Sequence, residues 1–176
     1  MMALIWSTDP WRDDNLFNSA VWAYLTDYFR DRPRLFQRLY GRMWQRNSIW
    51  IPSFSVWAML AGPAWFGYRR HYVALGITMP LSNTLLMIMY FSDSALFLAV
   101  AVTGIISIWV FCGLYGRSVV MAGAARFISR TAEEQAEPLL QRRAVWRAGG
   151  IDHVTGTGMM VMQATMLFPM IWELVH

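Results

Sequence analysis

Cysteine occurs once, at Cys112 within a long apolar run, so the chain has no disulfide framework and no paired-cysteine zinc or redox motif. Lysine is absent, and all fifteen basic side chains are arginine. Histidine is confined to His71, His153 and His176, far apart in sequence, and no His-Glu-x-x-His helix, glycine-rich phosphate loop or carboxylate pair beside a base occurs. A catalytic site needs convergent polar groups, so no catalytic residue, cofactor or metal site is expected. Glu133, Glu134 and Glu137 read as a solvated helix face rather than a metal site. The first nine residues lack the basic and apolar regions of a cleavable signal peptide, and the N-terminus is expected to be retained.

What the chain has in abundance is apolar surface. Of its 176 residues 56% are hydrophobic and 15% aromatic, with ten Trp and thirteen Met, far from the balance of a soluble domain. Three uninterrupted apolar stretches, Tyr72 to Phe91, Ala95 to Tyr115 and Val154 to Val175, contain no Lys, Arg or Asp. At about 1.5 Å per helical residue each can span a hydrocarbon core of about 30 Å. A fourth stretch, Trp50 to Tyr68, is interrupted by Pro52 and by Gly62-Pro63. The fold class expected is an all-α integral membrane protein with three transmembrane helices, one broken or re-entrant helix and amphipathic interfacial helices.

Arginine placement sets the topology. Seven lie between Arg12 and Arg46, two at Arg69 and Arg70, and six between Arg117 and Arg147, whereas Ser92-Asp93-Ser94 and the tail after Trp172 have none. Cytoplasmic flanks accumulate basic residues, which puts residues 69–71 and 116–150 inside and the C-terminus outside. If residues 50–68 cross, seven arginines face outward against eight inward; if they enter and return, all fifteen face inward. The second arrangement is preferred, because Gly62-Pro63 permits a break that neighbouring helices can shield. A full fourth crossing is the alternative.

The chain divides into 1–49, 50–68, 72–115, 116–150 and 151–176. In the first segment Asp9-Pro10 is a helix start, with Asp13 and Asp14 in a first turn that favours negative charge, and this helix should run to about Asp31. From Pro33 a second helix carries an apolar stripe of Leu35, Phe36, Leu39, Tyr40, Met43 and Trp44, beside Arg34, Arg38, Arg42 and Arg46 at every fourth position. This pattern predicts an interfacial helix whose stripe sinks into the headgroup boundary while the arginines bind anionic headgroups or a partner. Arginines interleaved with apolar residues beside membrane spans argue against a nucleic-acid-binding arm. Residues 116–150 continue the second span into a cytoplasmic helical hairpin that ends at Gly149-Gly150, and Asp152 is placed to cap the last helix.

Within the spans, Ser82, Asn83, Thr84, Thr103, Ser107, Gln163 and Thr165 gather near mid-depth. They are expected to join helices through hydrogen bonds, Asn83 to Gln163 for example, rather than to line a solute pathway, since no ionisable residue lies there. Met159, Met162, Met166 and Met170 form one stripe, and Gly156 and Gly158 allow a helix to approach closely. Thioethers suit monovalent copper, but a stripe without Cys or His is more in keeping with packing.

The run Ser53-Phe54-Ser55-Val56-Trp57-Ala58, then Ala61-Gly62-Pro63-Ala64-Trp65 and Tyr68-Arg69-Arg70-His71-Tyr72, resembles the small bacterial membrane proteins of the domain of unknown function numbered 2628. Their pattern is an aromatic and alanine-rich segment, a Gly-Pro-x-Trp-like turn and a Tyr-Arg-Lys-x-Tyr-like end; here Arg70 stands for the Lys and His71 for a Met. The resemblance reaches from Tyr24 to Ile77 at most. It implies an inner-membrane location and no catalytic residues. The expected function is a non-enzymatic subunit or accessory of a larger inner-membrane assembly for secretion, conjugation or energy transduction, with other integral subunits or further copies as partners. A small transporter or channel is the alternative, and a membrane-bound enzyme the next.

Overall fold

The computed structural model describes residues 19–46 and 48–175, and every regular element among them is a helix. In chain order these are α1 (Ser19–Tyr28), α2 (Pro33–Arg46), α3 (Val56–Ala61), α4 (Ala64–Tyr68), α5 (Tyr72–Phe91), α6 (Ala95–Glu134), α7 (Pro138–Ala148) and α8 (His153–Val175). The helix start read at Asp9-Pro10, and His176, lie outside the described residues. The chain forms two compact units, one of residues up to 52 with 118–150, the other of 53–117 with 151–176.

The first unit contains α1, α2, α7 and the C-terminal part of α6. Proline opens α2 and α7, where its missing N–H costs no hydrogen bond. Phe36, Leu39, Tyr40 and Met43 of α2 are buried, as are Val21, Leu25, Tyr28 and Phe29 of α1 and its C-terminal extension. Phe29 and Phe36 stack with ring centroids 3.8 Å apart, and Trp22 meets Tyr40 edge-on at 5.2 Å. The apolar stripe of α2 is therefore spent on protein rather than sunk into headgroups, which corrects the interfacial reading; Trp44 alone of that stripe is exposed. Periodicity identifies an apolar face, and the nearest apolar face, that of α1, takes it.

α7 docks on α1 through polar as well as apolar contacts. Tyr24 donates to Gln141 Oε1 at 3.0 Å, and Arg142 forms a two-pronged pair with Asp27 at 3.0 and 3.2 Å. The Arg30 guanidinium lies 4.1 Å from the Trp146 ring centroid and donates to the Trp146 and Gly149 carbonyls, satisfying acceptors that the helix end leaves open. Gly150 N–H donates to the Tyr28 carbonyl at 2.8 Å. This close crossing requires Gly149, since a Cβ there would lie 2.6 Å from Tyr28 Cα.

In the second unit α3 and α4 are short helices of six and five residues, separated at Gly62-Pro63. Gly62 adopts φ +52°, a left-handed conformation that side-chain-bearing residues rarely adopt, and Pro63 cannot donate to the preceding turn. The break abuts α6, where a Cβ on Gly62 would lie 3.0 Å from Trp109 Nε1. The entering strand of chain bonds to α6 itself: Ser53 and Ser55 N–H donate to the Leu114 and Gly113 carbonyls, both at 2.8 Å. The returning end bonds to the start of α8, where Asp152 N–H donates to the Tyr68 carbonyl at 2.8 Å. Along α6 the segment thus passes from Gly113 and Leu114 to Trp109 at Gly62 and then to Gly116, which Trp65 abuts.

Two helices, α5 and α6, are long and apolar enough to cross a membrane, and only 28% and 11% of their most apolar stretches are buried. A soluble core helix would be covered; Val73, Ile77, Leu81, Leu96, Phe97, Val100 and Ile106 point outward instead. At about 60 Å, the 40-residue α6 is twice the length a hydrocarbon core needs. Three such helices are expected from the sequence; among the described residues two are found. Over its described residues α8 does not qualify, its apolar side chains being interspersed with Thr155, Gly156, Thr157, Gly158, Gln163 and Thr165.

These packing differences are measurable. Gly149→Ala should lower the thermal midpoint of the first unit markedly, by the equivalent of about 2–4 kcal/mol, because backbone must move to admit the methyl. Gly158→Ala, whose Cβ meets nothing within 4 Å, should be neutral or raise the midpoint slightly through helix propensity. Circular-dichroism melts in detergent separate the two; equal effects would contradict the packing described.

Candidate functional site

Polar chemistry in the second unit converges where α5 and α8 begin. Asp152 caps α8: its carboxylate accepts from Thr155 N–H at 3.0 Å, from the Thr155 hydroxyl at 2.7 Å and from the Tyr72 hydroxyl at 3.0 Å. These donors, the Thr155 amide foremost, hold the carboxyl down to about 2, with Arg70 adding a smaller attraction. His71 caps α5, its Nδ1 accepting from Ala74 N–H at 3.2 Å, and the His153 ring meets Tyr68 edge-on at 5.4 Å. Arg70, at φ +57°, is the one non-glycine with positive φ among the described residues, a conformation costing about 1–3 kcal/mol, and it turns the chain sharply from α4 into α5. The sequence showed Asp152 as a cap but not its bond to Tyr72, eighty residues away. His71 and His153, far apart in sequence, flank this one cluster.

Starting α5 and α8 at one cluster sets the level of residues further along. Ser82 lies ten residues into α5 from Tyr72 and Gln163 eleven from Asp152, so both sit about 15–17 Å along their helices from that end. Ser82 and Gln163 are buried, at 1% and 5% exposure. The expected Asn83–Gln163 hydrogen bond is nevertheless not made: Ser82 Oγ, Asn83 Oδ1 and Gln163 Nε2 are buried without a partner, as is Trp109 Nε1. Equal depth is a matter of residue count; bonding also needs matching rotation about each helix axis, which residue count leaves open. Ser107 and Thr165 bond back to the Thr103 and Val161 carbonyls of their own helices.

The partner surfaces read from α8 divide. Gly156 is used internally, for a Cβ there would lie 2.7 Å from Tyr68 Cβ, whereas Gly158 faces open space. Met162 and Met166 are exposed and Met159 half-buried; the Met170 side chain lies outside the described residues. No cluster of three His, Cys, Asp or Glu suited to a metal occurs among the described residues.

In the first unit Arg34, Arg38, Arg42 and Arg46 are all exposed, and none has an ionic, aromatic or carbonyl partner among the described residues. α2 contains no carboxylate, and Arg34 stands in the first turn, where the helix dipole disfavours a cation. The three like-charge steps cost the helix about 0.2–0.5 kcal/mol each.

No protein-family model matches the chain, and no curated protein or solved structure is similar to it.

Two outcomes follow from this geometry. Because folding depresses the Asp152 pKa, its contribution to stability is complete above about pH 4 and is lost as pH falls through about 2. Melts between pH 2 and 5 should show this loss in the native protein and less of it in Asp152→Asn. Asn83→Leu and Gln163→Leu should be neutral or stabilising by about 1 kcal/mol, since an unpaired buried polar group is removed. Destabilisation of both by a similar amount in detergent melts would show that they bond to each other.

Proposed function

We propose that the chain is a non-enzymatic, multi-pass accessory subunit of a bacterial inner-membrane assembly, in which α5 and α6 cross the bilayer, α8 crosses beside them and segment 53–68 is re-entrant. The observation carrying this reading is the outward-facing apolar surface of α5 and α6, which has no use in water. The arginines fit an orientation with the first unit and residues 69–71 in the cytoplasm, and with Ser92-Asp93-Ser94 and the C-terminus outside. The resemblance of residues 53–72 to the family numbered 2628 agrees with that membrane location. Open apolar faces on α5 and α8, with Gly158 free for close approach, suit docking to other integral subunits or to a second copy.

A second reading, a small transporter or channel, draws on the unpartnered Ser82, Asn83 and Gln163, which would line a neutral pathway if the helices part. It ranks lower because these atoms are enclosed rather than facing a cavity.

The protein should stay in the membrane pellet after alkaline carbonate extraction. With membrane-impermeant maleimide applied from outside, Asp93→Cys should label and Gln45→Cys should not. Release by carbonate rejects the membrane reading, and outside labelling of Gln45→Cys would show that residues 50–68 cross. Gentle-detergent purification should retain co-migrating membrane proteins; a lone monomer would reject the subunit role.

A further inference from the structure

We propose that the arginine band of α2 is a binding surface for anionic phospholipid headgroups, an inference that rests on the membrane reading above. Burial of Phe36, Leu39, Tyr40 and Met43 against protein fixes the rotation of α2, so Arg34 and Arg38 stand on the far side of the helix from that core. Steps of four residues advance about 40° each on a helix of 3.6 residues per turn, which spreads the four guanidiniums over about 120° and about 18 Å of length. That is a broad, shallow band and not a focused pocket.

Several arginines elsewhere in the chain are used within the protein, while Arg32 and Arg143, like the four of α2, are exposed with no side-chain partner among the described residues. Arg142 pairs with Asp27, Arg30 covers Trp146 and caps α7, Arg130 pairs with Glu134 and Arg117 donates to the Phe54 carbonyl. The α2 arginines have no such use among the described residues; like-charge spacing counts against all four and the helix dipole against Arg34, while it favours Arg46 in the last turn. Nothing among the described residues supplies their counter-charge. A particular acidic protein would call for a particular constellation, whereas regular spacing, the absence of any carboxylate in α2 and the exposed Trp44 and Trp50 suit a uniform anionic plane with an apolar layer beneath. The chain after α2 enters the apolar unit at Ser53, seven residues beyond Arg46.

The test uses the full-length protein carrying Gln45→Cys, an exposed position beside the band, labelled with an environment-sensitive fluorophore; buried Cys112 does not compete for label. It is reconstituted in nanodiscs of phosphatidylcholine alone or mixed with phosphatidylglycerol. A blue shift of emission is expected with phosphatidylglycerol at low salt, reversed by high salt, lost when all four arginines are replaced by glutamine and kept when all four become lysine. Incorporation into both nanodiscs with identical emission overturns the proposal. So does loss of the shift in the lysine variant, or a shift caused by added polyglutamate but not by phosphatidylglycerol, which would assign the band to an acidic protein. Failure to incorporate at all defeats the membrane reading itself, and is distinguishable from these because incorporation is measured separately by co-elution with the nanodisc.

Discussion

A peptide amide that leaves regular helix inside an apolar unit must find another acceptor, and this constraint shapes the second unit around its one irregular segment. Residues 53–68 cannot form a continuous helix, since Gly62 turns left-handed and Pro63 has no donor. Their exposed donors are taken up by α6, whose Leu114 and Gly113 carbonyls accept from Ser53 and Ser55, and by Ser55 Oγ, which accepts from Ala58 N–H. At the exit the Tyr68 carbonyl is taken by Asp152. A broken segment is tolerated in an apolar setting only where protein surrounds it. The close packing of Gly62 on Trp109 supplies that shield.

The same exit fixes the depth of everything on α5 and α8. Asp152 ties Tyr68 through its amide and Tyr72 through its carboxylate, so the broken segment, α5 and α8 share one origin. Ser82 and Gln163 then fall level with each other. Leaving them unpaired is costly, of order 1–3 kcal/mol each by the penalty for a buried unsatisfied group. Such cost in an otherwise apolar unit marks either a tolerated imperfection of packing or a place where the helices adopt a second arrangement.

Much of the fold was legible because it depends on local signals. Proline placed the start of α2, Ser92-Asp93-Ser94 separated α5 from α6 where apolar runs stop, Gly62-Pro63 marked the break, and Gly149-Gly150 and Asp152 marked the turn into α8. What stayed hidden is long-range. The amphipathic period of α2 is the same whether its stripe meets lipid or α1, and only the partner face, with Phe29 stacked on Phe36, decides it. Likewise the Tyr72–Asp152 bond joins positions with no sequence relation. Asn83 and Gln163 invited pairing by type and depth, yet the rotation of two helix axes is set by the whole interface.

The correction to α2 strengthens what its arginines imply. An inserted amphipathic helix would need its cations as flanking anchors, and their number would follow from the geometry of insertion. A helix already seated on α1 through Phe36, Leu39, Tyr40 and Met43 has no such need, and Arg34 in its first turn works against it. Four guanidiniums without a partner among the described residues, on a helix held by other means, disfavour folding taken alone. They make physical sense when the counter-charge is a surface, because a plane of phosphates neutralises a 120° band in any register and at any residue of the series, without asking one arginine to find one acid.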